Sequence, residues 1–281
     1  MIPLLYSFAS RLARHLPAAL AYALARAVAR AFWHASAARR EAVLANLARV
    51  VPTLPPRERE ALARRLFANF AEALVDSWRA ERAGAGQAPT VEIEGDEGLR
   101  AAVRSGDGVL LWSAHLGNWE LAAGELARRG YAVSAIARPH EDEGLERWFA
   151  RRRAAAGVRV VARCPGAIEA RRVLRRHGLL ALLGDRRFEG QGRAVPFFGR
   201  PARLPAAPLA LARRTGARVV PGFVVREGRG RYRVHLEPAL EVSGEGALRE
   251  LARALERHVG AHPDQWYVFE RVWDEPLPES A

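Results

Sequence analysis

Val109-Leu-Leu-Trp-Ser-Ala-His115-Leu-Gly-Asn-Trp-Glu120-Leu121 is the stretch from which the fold is read. Its first four residues, Val109–Trp112, form an apolar run of strand length with no charge. A polar turn bearing Gly117 follows. Asn118 then supplies an N-cap, Glu120 a carboxylate for the first helical turn, and Leu121, Glu125 and Leu126 the body of a helix. A strand passing directly into a helix is the repeating unit of layered α/β sheets. The turn between them falls at the carboxyl end of the strand, where open α/β sheets place their ligands.

The same texture continues on both sides. Val91–Glu94, Val133–Ala137, Val158–Ala162, Leu179–Leu183, Val219–Val225 and Tyr232–Leu236 read as further strands. Helices are expected near 96–104, 118–129, 142–156, 166–177, 205–214 and 246–260. This alternation predicts an α/β domain over 90–281, with a central, mostly parallel sheet flanked by helices and ending in an antiparallel pair. Upstream, residues 1–82 read as helical. Leu4, Phe8, Leu12, Leu16, Leu20, Leu24, Val28 and Phe32 recur at every fourth position, with a kink expected at Pro17. Two more helices are expected at 36–49 and 56–79. The apolar stripe, flanked by Arg14, Arg26 and Arg30, suits a membrane-associating helix lying in the interface; the same periodicity also describes a helix packed on the core. Ala83–Pro89 (AGAGQAP) reads as a linker, giving a helical region 1–82, a linker 83–89 and the α/β domain.

Composition narrows the function classes. The 281 residues carry a net charge of +13, and all 44 basic residues are arginine. Such a surplus favours anionic partners: nucleic acid, anionic lipid headgroups or an acidic carrier protein. The arginines are spread along every helix without interleaved aromatics, which argues against nucleic acid. A single cysteine, Cys164, excludes an internal disulfide. No charge-free run exceeds about a dozen residues, short of the ~20 that a spanning helix needs. Arg11 and Arg14 interrupt the N-terminal apolar stretch, so no secretory signal is read.

Two segments carry chemistry. His115 lies in the turn and Glu120 follows five residues later, so the turn is expected to fold the carboxylate back onto the imidazole. Such a pair would hold one tautomer while the ring takes a proton from a hydroxyl. Backbone N–H groups around Gly117 are expected to hold an oxyanion. The plainer alternative is a loop histidine bonded to backbone and a helix-start carboxylate with no other role. The second segment, Gly184-Asp185-Arg186-Arg187, follows the apolar run Leu179–Leu183 and so lies at another strand end. It is expected to hold an acceptor phosphate or sugar, with Asp185 fixing an arginine, or else to be a surface ion pair. Gly190–Arg193 and Pro196–Arg200 read as one long loop with exposed aromatics. There Phe197 and Phe198 would line an acyl channel, touch a bilayer or pack over the core. His258 and His262 lack the glutamate of a zinc-binding helix, and no metal is expected.

His115-Leu-Gly-Asn-Trp-Glu120 resembles the His-x4-Asp/Glu box of the lipid A biosynthesis (late) acyltransferases, a family that includes phosphatidylinositol mannoside acyltransferases. The resemblance covers nearly the whole chain in the family's order. It takes in Asn46–Pro52 with the following helix, Ala137-Arg138-Pro139 with Arg152 and Gly157, Gly184-Asp185-Arg186 with Val195–Gly199, and His262–Trp266 with Arg271–Trp273. It implies a glycerolipid acyltransferase-like fold and transfer of a fatty acyl group from an acyl carrier protein or coenzyme A thioester. The acceptor it implies is a glycolipid hydroxyl, first a lipid A precursor and alternatively a lysophospholipid or phosphatidylinositol mannoside. It further implies His115 as general base with Glu120 as partner, no cofactor beyond the thioester, and Arg138 binding phosphate or orienting substrate. Gly117, Asn118, Asp185, Arg186, Phe197, Phe198 and Gly199 complete the expected substrate site. The implied place is the cytoplasmic face of a bacterial inner membrane, peripheral or monotopic, against an anionic surface. A non-catalytic lipid-binding protein is the contrasting class.

Overall fold

The computed structural model describes residues 2–80, 88–137, 139–140, 142–162, 167–186, 192–240, 242 and 246–273. Most of the expected linker, residues 83–87, lies outside them, as do Arg138, Cys164 and Arg187.

Helices α1 (Ile2–His15), α2 (Ala18–Ala35), α3 (Ala37–Val50) and α4 (Pro56–Ala80) come first. The single kinked helix expected along the stripe from Leu4 to Phe32 is two helices. Pro17 takes an extended conformation at the N-cap of α2, and its carbonyl accepts from Leu20 and Ala21. A residue with no N–H and a fixed φ starts a helix more readily than it continues one. There follow β1 (Thr90–Glu94), α5 (Glu97–Arg104), β2 (Val109–Ser113), α6 (Trp119–Arg128), β3 (Val133–Ala137), α7 (Glu143–Ala155), β4 (Arg159–Ala162), α8 (Ala167–Arg175) and β5 (Leu179–Leu183). The remaining described strands and α-helices are β6 (Arg193–Phe197), β7 (Arg200–Leu204), α9 (Ala207–Thr215), β8 (Arg218–Gly228), β9 (Arg231–Leu236) and α10 (Ala247–Ala261).

Seven strands make the main sheet, in the order β1-β9-β8-β2-β5-β3-β4. Every pairing is parallel except β8 with β9, so the sheet is mostly parallel with one reversal near its edge. Within the expected long loop, residues 193–200 instead belong to the antiparallel hairpin β6–β7. Alternate β6 residues turn inward, which buries Val195 and Phe197 and leaves Arg193, Ala194 and Pro196 exposed.

Strand alternation sorts the core into two layers. Leu110, Trp112, Leu180, Leu182, Val219 and Phe223 face α8, α9 and α10. Val109, Leu111, Leu179, Val220 and Val224 face α5 and α6 on the other side. The N-terminal helices are joined to the α/β layers by buried polar bonds. Asn46 donates to the Val268 and Glu270 carbonyls and accepts from Val272 N–H. The buried Asp76 carboxylate of α4 takes hydroxyl donors from Tyr22 on α2 and Tyr232 on β9, and Arg226 of β8 pairs with Glu72 at 2.6 Å. These partners fix how the helices sit over the sheet, because leaving any of them buried and unpaired is costly.

Candidate active site

Strands β2 and β5 lie side by side, with Ser113 opposite Leu183. His115 and Asp185 each stand two residues beyond that pair, so the two strands deliver them to the same point on the carboxyl edge. The His115 Nδ1 is 2.8 Å from Asp185 Oδ1, and the His115 backbone N–H donates to Oδ2 at 2.8 Å. Trp266 Nε1–H donates to the same Oδ2 at 2.9 Å. The Tyr267 N–H bonds the His115 carbonyl, and the Gln265 carbonyl accepts from Gly117 N–H, so the closing segment braces the turn from behind.

Asp185 is completely buried. Burial alone pushes its carboxyl up, but the neighbouring imidazole, its hydrogen bond, the His115 N–H and the Trp266 indole outweigh this and hold it below the usual carboxylate range. An ionised carboxylate only accepts, so the proton between the two groups sits on Nδ1, and it is Nε2 that carries the lone pair of the neutral ring. Among the described residues Nε2 has no protein partner, and His115 lines a cavity. The ring is also fixed edge-on by Trp119, with centroids 5.1 Å apart.

The partner expected for His115 is therefore corrected. Glu120 is turned away from the imidazole and forks onto Arg153 of α7, with Nη2 to Oε1 at 2.6 Å and Nε at 3.1 Å from both carboxylate oxygens. The reason is local geometry. Asn118 caps α6 by accepting from Leu121 N–H, so the helix begins at Trp119 and sends Glu120 toward the neighbouring helix, while Asp185 takes Nδ1 from the adjacent strand. Asp185 accordingly holds the histidine and not an arginine.

The remaining expected site residues divide. Gly117 has φ +58, and a Cβ there would lie 2.3 Å from the Val224 carbonyl, so the turn requires glycine. Its N–H is spent on Gln265 and is not left for an oxyanion. Asn118 is buried at the cavity wall, and its amide donates to the Ala73 carbonyl at 2.8 Å and to Ser77 Oγ at 2.9 Å. Its amide nitrogen serves the joint with α4, and its Oδ1 caps α6. Arg186 lines the cavity and pairs with Glu270 at 3.2 Å. Arg138 lies outside the described residues.

Phe197, Phe198 and Gly199 are not brought to this cavity. Phe197 is fully buried on the opposite layer, stacked on Trp273 at 5.4 Å, because the hairpin turns it inward. The Phe198 N–H donates to Glu256 on α10, and Gly199 makes the hairpin turn at φ +71.

The cavity holds about 580 Å³ between the sheet and α6 and α7. Leu111, Leu126, Val133, Ala135, Ala181 and Val224 are among its apolar walls, and His115, Glu120, His140, Arg153 and Arg186 are among its polar ones. Val133 lies level with Leu179 and hence with Val109, while His115 lies beyond Ser113. The Val109-to-Ser113 span at about 3.3 Å per residue gives a depth of about 13 Å along the strands. Sequence reasoning missed Arg153 and Trp266 as partners in the site. A findable signal was the shared offset: His115 and Asp185 follow the ends of two apolar strands by the same two residues.

Among the described residues no group of three His, Cys, Asp or Glu side chains is placed to hold a metal ion. His258 stacks on Phe223 and bonds Glu237 at 3.0 Å.

Comparison with known proteins matches residues 1–275 to the family described as bacterial lipid A biosynthesis acyltransferase. The phosphatidylinositol mannoside acyltransferase of Mycobacterium tuberculosis is 33% identical over 196 residues, covering 67% of this chain. That alignment spans 61% of the relative's own length. The phosphatidylinositol mannoside acyltransferase of Mycolicibacterium smegmatis is 28% identical over 278 residues, 95% of this chain and 90% of the relative.

Proposed function

The chain belongs to the bacterial lipid A biosynthesis acyltransferase family, and from that premise we propose that it moves a fatty acyl group from a thioester to a hydroxyl of a membrane glycolipid. One observation carries most weight: a histidine whose Nδ1 is held by a buried carboxylate stands at the end of a deep apolar cavity. The cavity suits the tail. An extended chain advances about 1.2 Å per bond, so a depth of about 13 Å takes roughly eleven bonds of acyl chain below the level of Ser113.

In the proposed reaction His115 Nε2 takes the proton of the acceptor hydroxyl as its oxygen attacks the thioester carbonyl carbon. Asp185 stabilises the imidazolium that forms. Arg153, which lines the cavity and is held there by Glu120, is assigned to the tetrahedral oxyanion. Glu120 acts by holding that arginine in place. Collapse breaks the carbon–sulfur bond, and the thiol leaves with the proton from His115. The donor, carrier protein or coenzyme A, enters as a co-substrate.

The relatives favour a phosphatidylinositol mannoside over a lipid A precursor as acceptor, since both named ones carry that activity in their description. The membrane is reached through α1 and α2. Leu4, Leu5, Phe8, Leu20, Leu24 and Val28 are exposed there, and residues 1–40 contain six arginines and no acidic residue. Among the described residues no helix is long and apolar enough to cross a membrane. An interfacial helix pair on an anionic surface accounts for this pattern.

The test is transfer of a labelled acyl group from its thioester to extracted mycobacterial lipids, with wild type set against H115A. Labelled lipid formed by wild type and absent with a folded H115A is the expected result. Equal rates would overturn the assignment.

A further inference from the structure

Three arginines line the catalytic cavity, and they are not alike. Arg153 is neutralised by Glu120, and Arg186 by Glu270. Arg39, at the start of α3, has no carboxylate partner among the described residues. Its guanidinium instead lies over the Phe32 ring, 5.4 Å from the centroid. Tyr6 of α1 lines the same cavity and is held edge-on by Trp78, Trp148 and Phe149, with centroids 6.1, 5.5 and 5.9 Å away. Helix α1 is fastened in turn by Arg79, whose Nη1 donates to the carbonyls of Ala13 and Leu16.

We infer that Arg39 and Tyr6 form a phosphate-binding subsite in the wall of the cavity that His115 also lines. The inference rests on the transfer reading for which substrate supplies the phosphate, but the subsite itself stands on charge and placement. Arg39 is exposed and has no carboxylate partner among the described residues, while the cavity's other two arginines are paired, so it brings one uncompensated positive charge to the lining. A guanidinium fork matches phosphate oxygens and binds them as charge-assisted hydrogen bonds. The Tyr6 hydroxyl adds a neutral donor, because burial raises it above an ordinary tyrosine and the nearby Arg39 only partly reverses this. A mannosylated phosphatidylinositol brings a phosphodiester to the cavity, and so does the pantetheine arm or nucleotide of a thioester donor. The chemistry recognised is the same in either case.

Binding of soluble probes separates the sources without needing turnover. Intrinsic tryptophan fluorescence reports the subsite, since Trp78 and Trp148 touch Tyr6. The full chain is titrated with glycerophosphoinositol, with coenzyme A and with inositol. Wild type should bind at least one phosphate-bearing probe and not inositol. R39Q should weaken that probe roughly 10- to 100-fold, the range for losing hydrogen bonds to a charged group, and Y6F several-fold. A loss confined to glycerophosphoinositol assigns the subsite to the acceptor, and one confined to coenzyme A assigns it to the donor. R213Q, which removes an exposed arginine of α9, should bind as wild type does.

Unchanged affinity in a folded R39Q overturns the subsite, as does an equal loss in R213Q. The two readings fail separately. If R39Q weakens binding but wild type transfers no acyl group, the transfer reading falls and the subsite stands. If R39Q binds normally while H115A abolishes transfer, the reverse holds.

Discussion

On one face of the central sheet Trp112, Phe223, Leu180 and Leu182 meet α8, α9 and α10 in a filled layer with Phe197, Trp266 and Trp273. On the other face the same strands present Leu111, Ala135, Ala181 and Gly222, and the space they leave toward α6 and α7 is the cavity of about 580 Å³. The alternation of β5, Leu179-Leu-Ala-Leu-Leu183, shows how one strand serves both ends. Its even-numbered leucines fill one layer, and the alanine between them opens the other. Protein interiors are otherwise close-packed, so a void this large is a feature maintained at a cost in dispersion contacts. Large side chains on one side stabilise the fold, and small ones on the other leave room for a ligand.

Substitutions on the two faces should therefore fail in different ways. The largest effect is expected at the cavity's polar end, where H115A should lower turnover by roughly 10²- to 10⁴-fold, the range for losing a positioned base. Its melting temperature should stay close to wild type, which calorimetry checks. On the filled face F197A should cost about 3–5 kcal/mol, as expected for deleting a fully buried phenylalanine, while the fraction that remains folded keeps its specific activity. Denaturant unfolding measures the first effect and transfer assays the second. On the hollow face A135F should do the opposite. It should leave stability near wild type and lower kcat/KM for long acyl donors by roughly 10- to 200-fold, with short donors spared. A comparable loss of stability in A135F would mean that the two faces do not differ as described.

The smallest effect is a pH dependence. The folded-state pKa of Asp185 is depressed, so its ionised form contributes stability above the unfolded value of about 3.9, and that contribution is lost as pH falls through the lower folded value. D185N should be less stable than wild type at neutral pH, and the gap should narrow as the acid limit is approached. Urea unfolding at neutral and acid pH measures it; a gap that widens on acidification would reverse the sign.

Much of this was legible in the chain. Val133–Ala137 and Leu179–Leu183 were read with the bounds the structure gives, since short apolar runs between helical periods have few alternatives. Both groups of the His115–Asp185 pair were also singled out from their strand ends. Their partnership was not, because it depends on β2 and β5 being neighbours in the sheet, and strand order is not written in local pattern. Sequence proximity and the His-x4-Asp/Glu resemblance both match Glu120 to His115, whereas its partner in the structure, Arg153, comes from α7. The hairpin β6–β7 was misread for a different reason. Gly192, Pro196 and Gly199 carry turn chemistry, and of the three places expected for the aromatic pair Phe197 takes the one packed over the core, against Trp266 and Trp273.

The two carboxylates near the imidazole offer the most direct test. Steady-state kcat for D185N and E120Q, each shown to be folded by circular dichroism, should separate the group that holds Nδ1 from the group that holds Arg153. With Asp185 as the partner, D185N loses roughly 10²- to 10⁴-fold in kcat, since the imidazole is left without its orienting anion. E120Q keeps a neutral acceptor for Arg153 and loses less. A folded D185N that turns over at the wild-type rate while E120Q is inactive would contradict the account.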